Sequence, residues 1–298
     1  MSATTTSAAI PRFEPQLMRR KLTGTLFYGA CVAAIAFTML ILFLLLADVV
    51  TRGLPFLRPD FITGVPSRFP ERAGILPALI GSLQLGVLVA LITFPLGVAA
   101  AIYLEEYTRG RWWTGILRMN IANLAGVPSI IYGIFGLALF VRALGMGPVL
   151  LAGALTLSLL ILPVVIIASM EAIRAVPDSQ REAGYALGAT RWQMVVGTVL
   201  PTAAPGILTG IILAMARAIG ETAPLILIGA VTFVTYLPNP IDGGYTVLPI
   251  QIFQWAGRPQ EGFQMISASA IIVLLVVLVV LNGLALFVRA RLSRHIQW

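Results

Sequence analysis

The sequence predicts an all-α membrane protein with six transmembrane helices and both termini on the cytoplasmic side. Composition, apolar run length and the distribution of basic residues carry this reading. Of 298 residues, 58% are hydrophobic and 11% charged, and mean hydropathy is +0.94. A soluble domain has about 25% charged residues. Several apolar segments reach the ~18–20 residues needed to cross a bilayer. With the N-terminus inside, thirteen of the 20 basic residues fall in inner segments, six in outer ones, and Arg217 lies within a span. That asymmetry sets orientation, and two inside termini require an even number of spans.

Residues 1–21 are polar and end in Arg19, Arg20 and Lys21, which reads as a cytoplasmic tail. Residues 22–50 form the first transmembrane helix. They are too long for a signal-peptide core and lack a small-residue cleavage site. Residues 51–74 are an external loop. Residues 75–290 form the core, with spans expected at 75–104, 117–142, 148–170, 204–233 and 264–288. Residues 234–263 are a second outer loop, 105–116 and 171–203 are inner loops, and 291–298 form a short cytoplasmic tail. Trp112, Trp113, Trp255 and Trp298 fall near the expected interfaces, where amphipathic rings are favoured.

The inner loop at 171–203 is too patterned for a plain connector. Pro177 should end the preceding helix. Ser179 and Glu182 have capping-box spacing, which predicts a helix over about 180–187. Gly188 supplies a left-handed stop, and Thr190 with Gln193 caps the next helix. The short helix presents Ala183, Ala186 and Leu187 as a small apolar face, with Tyr185 beside them. Such a face either docks in a partner's groove or lies against its own bundle.

The stretch EAGYALGATRWQMVVGTVLP resembles the EAA motif of ABC-importer permeases, on Glu182, Ala183, Gly184, Gly188, Leu200 and Pro201. Thr198 departs from that motif's usual aliphatic residue. GVPSIIYGIFGLALF (126–140), RAIGETAPLILIG (217–229) and LPIQIFQWAGRPQEGF (248–263) resemble the phosphate-transport permease family, the PstA-type subunit more than the PstC-type. The likeness covers roughly residues 75–290. It implies a type I importer permease fold, with Glu182 to Gly188 coupling the spans to an ATP-binding subunit. The implied partners are a second, PstC-type permease, two PstB-type ATP-binding subunits, an external PstS-type phosphate-binding protein and membrane lipid. ATP and Mg would sit on the ATP-binding partner, with no cofactor on this chain.

The residues themselves fit that division of labour. No G-x-x-x-x-G-K-[ST] sequence occurs, and Lys21 is the chain's one lysine, so nucleotide chemistry belongs elsewhere. No Ser-His-Asp set or paired carboxylates mark a catalytic pocket. Cys31 is the only cysteine and His295 the only histidine, which excludes an internal disulfide and a Cys/His metal cluster. The formal charge of +8 is scattered at span ends and forms no patch for nucleic acid. The chain is therefore read as a non-enzyme.

Arg217 and Glu221 stand out within the expected fifth span. A central Arg costs about 2.5–3.5 kcal/mol on insertion scales, so it should face a wet pathway or a packed interior. At i, i+4 spacing, Glu221 can neutralise it. A guanidinium also binds phosphate oxygens through a planar fork, and the family resemblance implies the same role, since this pair lies in its RAxGET motif. The alternative is a buried structural pair with the partner permease. Arg174, at the inner end of span four, could meet an exiting anion or serve as an inside-positive anchor. Ser129 and Tyr132, just after Pro128, offer hydroxyls to the path or pack a kink. Competing functions are a permease for another oxyanion such as sulfate or molybdate, an ion-coupled secondary carrier, and a membrane scaffold.

Overall fold

A computed structural model of the protein describes residues 17–108, 110–230 and 233–293, without the side chains of 17, 292 and 293. Most of the N-terminal tail, Arg109, and the end bearing Arg294, His295 and Trp298 lie outside the described residues. Those residues are helical throughout their regular structure, with no strand among them. Five helices are long and apolar enough to cross a membrane, and a sixth span arises if one sharply bent pair is counted as one.

Two units divide the chain after Asp48. In the first, residues 17–48 belong to a single helix, α1 (Leu17–Gly53). Its apolar side chains, from Leu22 to Leu45, are exposed, as a lipid-facing helix requires.

The second unit opens with a folded segment: α2 (Pro59–Thr63) and two tight turns. Next come α3 (Leu76–Ile102), closed by a wide π turn at Tyr103–Tyr107, then α4 (Trp112–Ala125) and α5 (Ser129–Gly136). The long α6 (Leu150–Arg174) precedes the short α7 (Asp178–Ala186). From α8 (Arg191–Met194) the chain winds through a π turn into α9 (Leu200–Gly220). The final elements are α10 (Ala223–Ile228), α11 (Leu248–Ala256) and α12 (Glu261–Ser293).

Helix α6 is the central post, with Ala152, Thr156, Val165 and Ile173 fully buried. Close backbone approach holds α9 on it. A Cβ at Gly206 would lie 2.8 Å from Ala172 Cβ, and one at Gly210 would lie 2.3 Å from Ala168 Cβ. This is the small-residue packing by which helices associate in lipid, where no hydrophobic force separates helix from solvent.

Several expectations change. The expected span over 117–142 is two helices bent by 96°. Pro128 supplies the break: it lacks an N–H and disfavours helix in the residue before it. The expected span over 204–233 stops at Gly220, because Glu221 is extended (φ −73°, ψ 129°) and a second short helix follows. The segments expected as outer loops are not plain loops. Phe61 of α2, Trp255 of α11 and Phe263 of α12 share one buried cluster, with Phe61 and Trp255 ring centroids 6.1 Å apart. Trp255 is thus a core residue, whereas Trp112 is exposed.

Candidate functional site

The residues singled out in the sequence fall into three places. The first is the break between α9 and α10. Arg217 occupies the last turn of α9 and Glu221 is the residue that ends it, so the pair bridges a helix terminus instead of lying mid-helix. The negative end of the α9 dipole and the Glu221 carboxylate both favour a cation there. Arg217 Nε donates to Glu221 Oε1 at 3.4 Å, with the Arg side chain 52% and the Glu side chain 16% exposed. That contact engages Nε of the guanidinium. An interrupted helix exposes backbone polar groups, which is tolerated at membrane depth only where it lines a cavity or is covered by protein.

The second place is the bend between α4 and α5. Ser129 is the first residue of α5 after Pro128. Tyr132 Oη donates to Leu124 O at 2.9 Å and so ties the two arms of the bend together. An apolar crevice of about 440 Å³ opens beside it, lined by Leu124, Ile131, Tyr132, Phe135 and Pro163 among others. Helix α5 packs on α10 so tightly that a Cβ on Gly133 would come within 2.7 Å of Pro224 Cα. The two interrupted helices therefore adjoin through α5 and α10.

The third place is the end of the bundle that carries α7. Thr190 and Gln193 form the expected capping box at the start of α8. Gly188 is left-handed at φ +79°. Ser179 and Glu182 do not form one: α7 begins two residues earlier than expected, after Pro177, with no side-chain cap. Proline fixes φ at the entry, and the acidic Asp178 in the first turn complements the dipole. Glu182, Ala183, Ala186 and Leu187 are exposed, Leu187 to 90%. Gly184 instead turns inward, where an added Cβ would meet Met194 Cγ at 3.1 Å. The apolar face of α7 is thus presented outward, away from its own bundle.

Arg174 belongs to this third place and not to the α9–α10 break. Its Nη2 donates to Glu105 Oε1 at 2.8 Å and its Nη1 to Glu171 at 2.9 Å, an anchor's geometry. Glu105 also holds Arg118 at 3.1 Å and is only 4% exposed. Next to it, Glu106 pairs with Arg181 at 3.0 Å. The reading of the sequence passed over this cluster. Its signal is the Glu105–Glu106 doublet at the end of an apolar span, where a buried carboxylate must find a cation.

Six potential spans, broken helices and an outward-facing short helix between two of the spans define a permease subunit of an ABC importer. Over residues 93–294 the chain matches the family described as "Binding-protein-dependent transport system inner membrane component", and it belongs to that family. Within it, the chain stands with the PstA permeases. It is 35% identical over 292 residues to the phosphate transport system permease protein PstA 1 of Mycobacterium tuberculosis (strain CDC 1551 / Oshkosh), covering 95% of this chain and 94% of that one. It is 33% identical over 279 residues to the phosphate transport system permease protein PstA of Xylella fastidiosa (strain 9a5c), covering 93% and 96%. The fold also matches a bacterial alginate ABC transporter solved with its pentasaccharide-bound periplasmic protein. That match has a TM-score of 0.64 and 16% identity, covering 94% of this chain and 98% of that one. The chain is a multi-pass inner-membrane permease subunit and not itself an enzyme.

Proposed function

We propose that the chain is the membrane-spanning subunit of an ATP-driven inorganic phosphate importer, and that Arg217 is its contact with the passing anion. The observation that carries this is the half-exposed guanidinium at the α9–α10 break, held through Nε at 3.4 Å. Its Nη fork is the group that binds phosphate oxygens in two parallel hydrogen bonds. Glu221 orients it and partly offsets its charge, so that the anion binds and leaves. Ser129 and Tyr132, on the helix that packs against α10, supply hydroxyls along the same path. Arg174, bound between two carboxylates, secures the inner end.

In this reading a PstC-type permease covers the exposed faces of α5 and α9, and a PstS-type protein delivers phosphate from outside. Two PstB-type subunits hold ATP and Mg, one of them docked on Glu182, Ala183, Gly184, Ala186, Leu187 and Gly188. Both termini lie on the cytoplasmic side. The names of the PstA relatives support phosphate as cargo.

The test is phosphate uptake by the reconstituted complex, with assembly measured beside it because an unpaired buried charge can destabilise a bundle. Arg217→Gln should lose uptake while the complex still assembles, and Arg217→Lys should recover only part of it. Excess sulfate or molybdate should not compete. An assembled Arg217→Gln complex with normal uptake would remove Arg217 from the path, and competition by sulfate would reassign the cargo.

A further inference from the structure

Arg181 is the one buried residue of the nine-residue helix α7. A short surface helix is ordinarily held by apolar side chains. This one instead turns its apolar residues outward and fixes itself to the bundle with a charge. Arginine has five N–H donors, and here each has an acceptor. Nε and one Nη2 hydrogen go to Glu106 Oε1, at 3.2 and 3.0 Å. The other Nη2 hydrogen goes to Ile173 O at 2.8 Å. Nη1 donates to Val176 O and, at 3.1 Å, to Asp178 Oδ1. The Arg181 and Glu106 side chains are 8% and 6% exposed.

One guanidinium thus joins three helices. Glu106 belongs to the π turn that closes α3, Ile173 lies in the last turn of α6, and Val176 follows just beyond that helix. A weaker tie, Thr202 Oγ1 to Gln180 Oε1 at 3.5 Å, reaches α9. The other charges around the joint are already engaged: Glu105 with Arg118 and Arg174, and Glu171 with Arg174. Burying a guanidinium is unfavourable unless its donors are all satisfied. Apolar contacts would have attached α7 more simply, but they are non-directional and permit sliding. Charge-assisted hydrogen bonds in several directions do not.

We propose that Arg181 is the positioning residue that transmits displacement of α7 to the ends of α3 and α6. The proposal rests on the reading that α7 docks on the ATP-binding subunit. When that subunit moves α7, the guanidinium carries the π turn of α3 and the last carbonyls of α6 with it. ATP hydrolysis then reaches the spans as a rigid-body motion.

The test uses the full complex in proteoliposomes, with the native cysteine removed (Cys31→Ser) and inorganic phosphate as cargo. Arg181→Lys keeps the charge but cannot reach three helices at once, and Glu106→Gln keeps an acceptor oxygen with the charge removed. Docking is read separately by crosslinking Leu187→Cys to cysteines on the ATP-binding subunit. Motion of α3 is read by spin labels at Leu96→Cys on α3 and Val279→Cys on α12, both exposed.

Arg181→Lys should assemble, crosslink and hydrolyse ATP, while phosphate moved per ATP falls about tenfold, the low end of the range for loss of one charge-assisted bond. The ATP-driven change in label distance should vanish, and Glu106→Gln should give a smaller loss of the same kind. Normal transport per ATP with an unchanged label shift in Arg181→Lys would overturn the proposal. So would failure of both variants to assemble, which would make the joint purely structural. Absence of the crosslink in the otherwise unaltered complex would instead defeat the docking reading on which the proposal stands.

Discussion

Gly188 isolates a backbone effect from a packing effect. Its φ is +79°, and a Cβ built there meets nothing within 4 Å. Any cost of substitution therefore comes from the left-handed conformation, about 1–2 kcal/mol for most residues and least for Asn. Gly188→Asn should leave transport nearly normal, whereas Gly188→Val should uncouple ATP hydrolysis from uptake by loosening the angle between α7 and α8. Thr190→Ala acts one step further along, removing a capping box worth about 1 kcal/mol. Its effect should appear as lower thermal stability of the purified complex with coupling retained. Measuring uptake and ATPase rates beside melting temperature separates the two, and equal behaviour of Gly188→Asn and Gly188→Val would show that the left-handed turn is not what matters.

Among the elements, the contact between α6 and α9 sets the position of Arg217, because α9 carries it at its far end. Gly210 approaches Ala168 so closely that an added methyl would sit 2.3 Å from its Cβ, against an ordinary carbon separation of about 3.5–4.0 Å. Gly210→Ala should destabilise the complex by about 1–3 kcal/mol, the usual range for overpacking. Ala168→Gly in the same chain should restore most of the loss, since it reopens the space from the other side. Thermal denaturation of the single and double variants in detergent reads this directly, and additive losses would place the strain elsewhere. This level also shows what the sequence could reveal. The capping box at Thr190 and the stop at Gly188 are local chemistry and were legible. The interruption at Glu221 was not, because RAIGETAPLILIG is apolar enough to read as one span. What ends α9 is local geometry joined to tertiary packing, with α10 turned so that Pro224 meets Gly133 of α5. The false capping box at Ser179 fails for a related reason. Pro177 and the buried Arg181 fix where α7 starts, and a pattern of hydroxyl and carboxylate cannot register either constraint.

The unit from residue 49 onward has two unlike ends along the direction of α3 and α6. One end gathers Glu105, Glu106, Arg118, Arg174 and Arg181 in ion pairs beneath an outward-facing α7. The other end is closed by apolar packing among Phe61, Trp255 and Phe263. The count of basic residues gives an expected orientation, but it could not show that the charges pair into a joint. That orientation is testable in sealed cells. With Cys31→Ser as background, in cells that lack the ATP-binding subunit, a membrane-impermeant thiol reagent should label Phe69→Cys, where the side chain is exposed. It should miss Leu187→Cys, which is still more exposed but lies at the α7 end. After permeabilisation both should react, which separates a protected side from a buried one. Labelling of Leu187→Cys in sealed cells would invert the topology and place α7 where no ATP-binding subunit could reach it. Within the chain Leu187 is the more exposed of the two, so without the ATP-binding subunit its protection in sealed cells would come from the membrane.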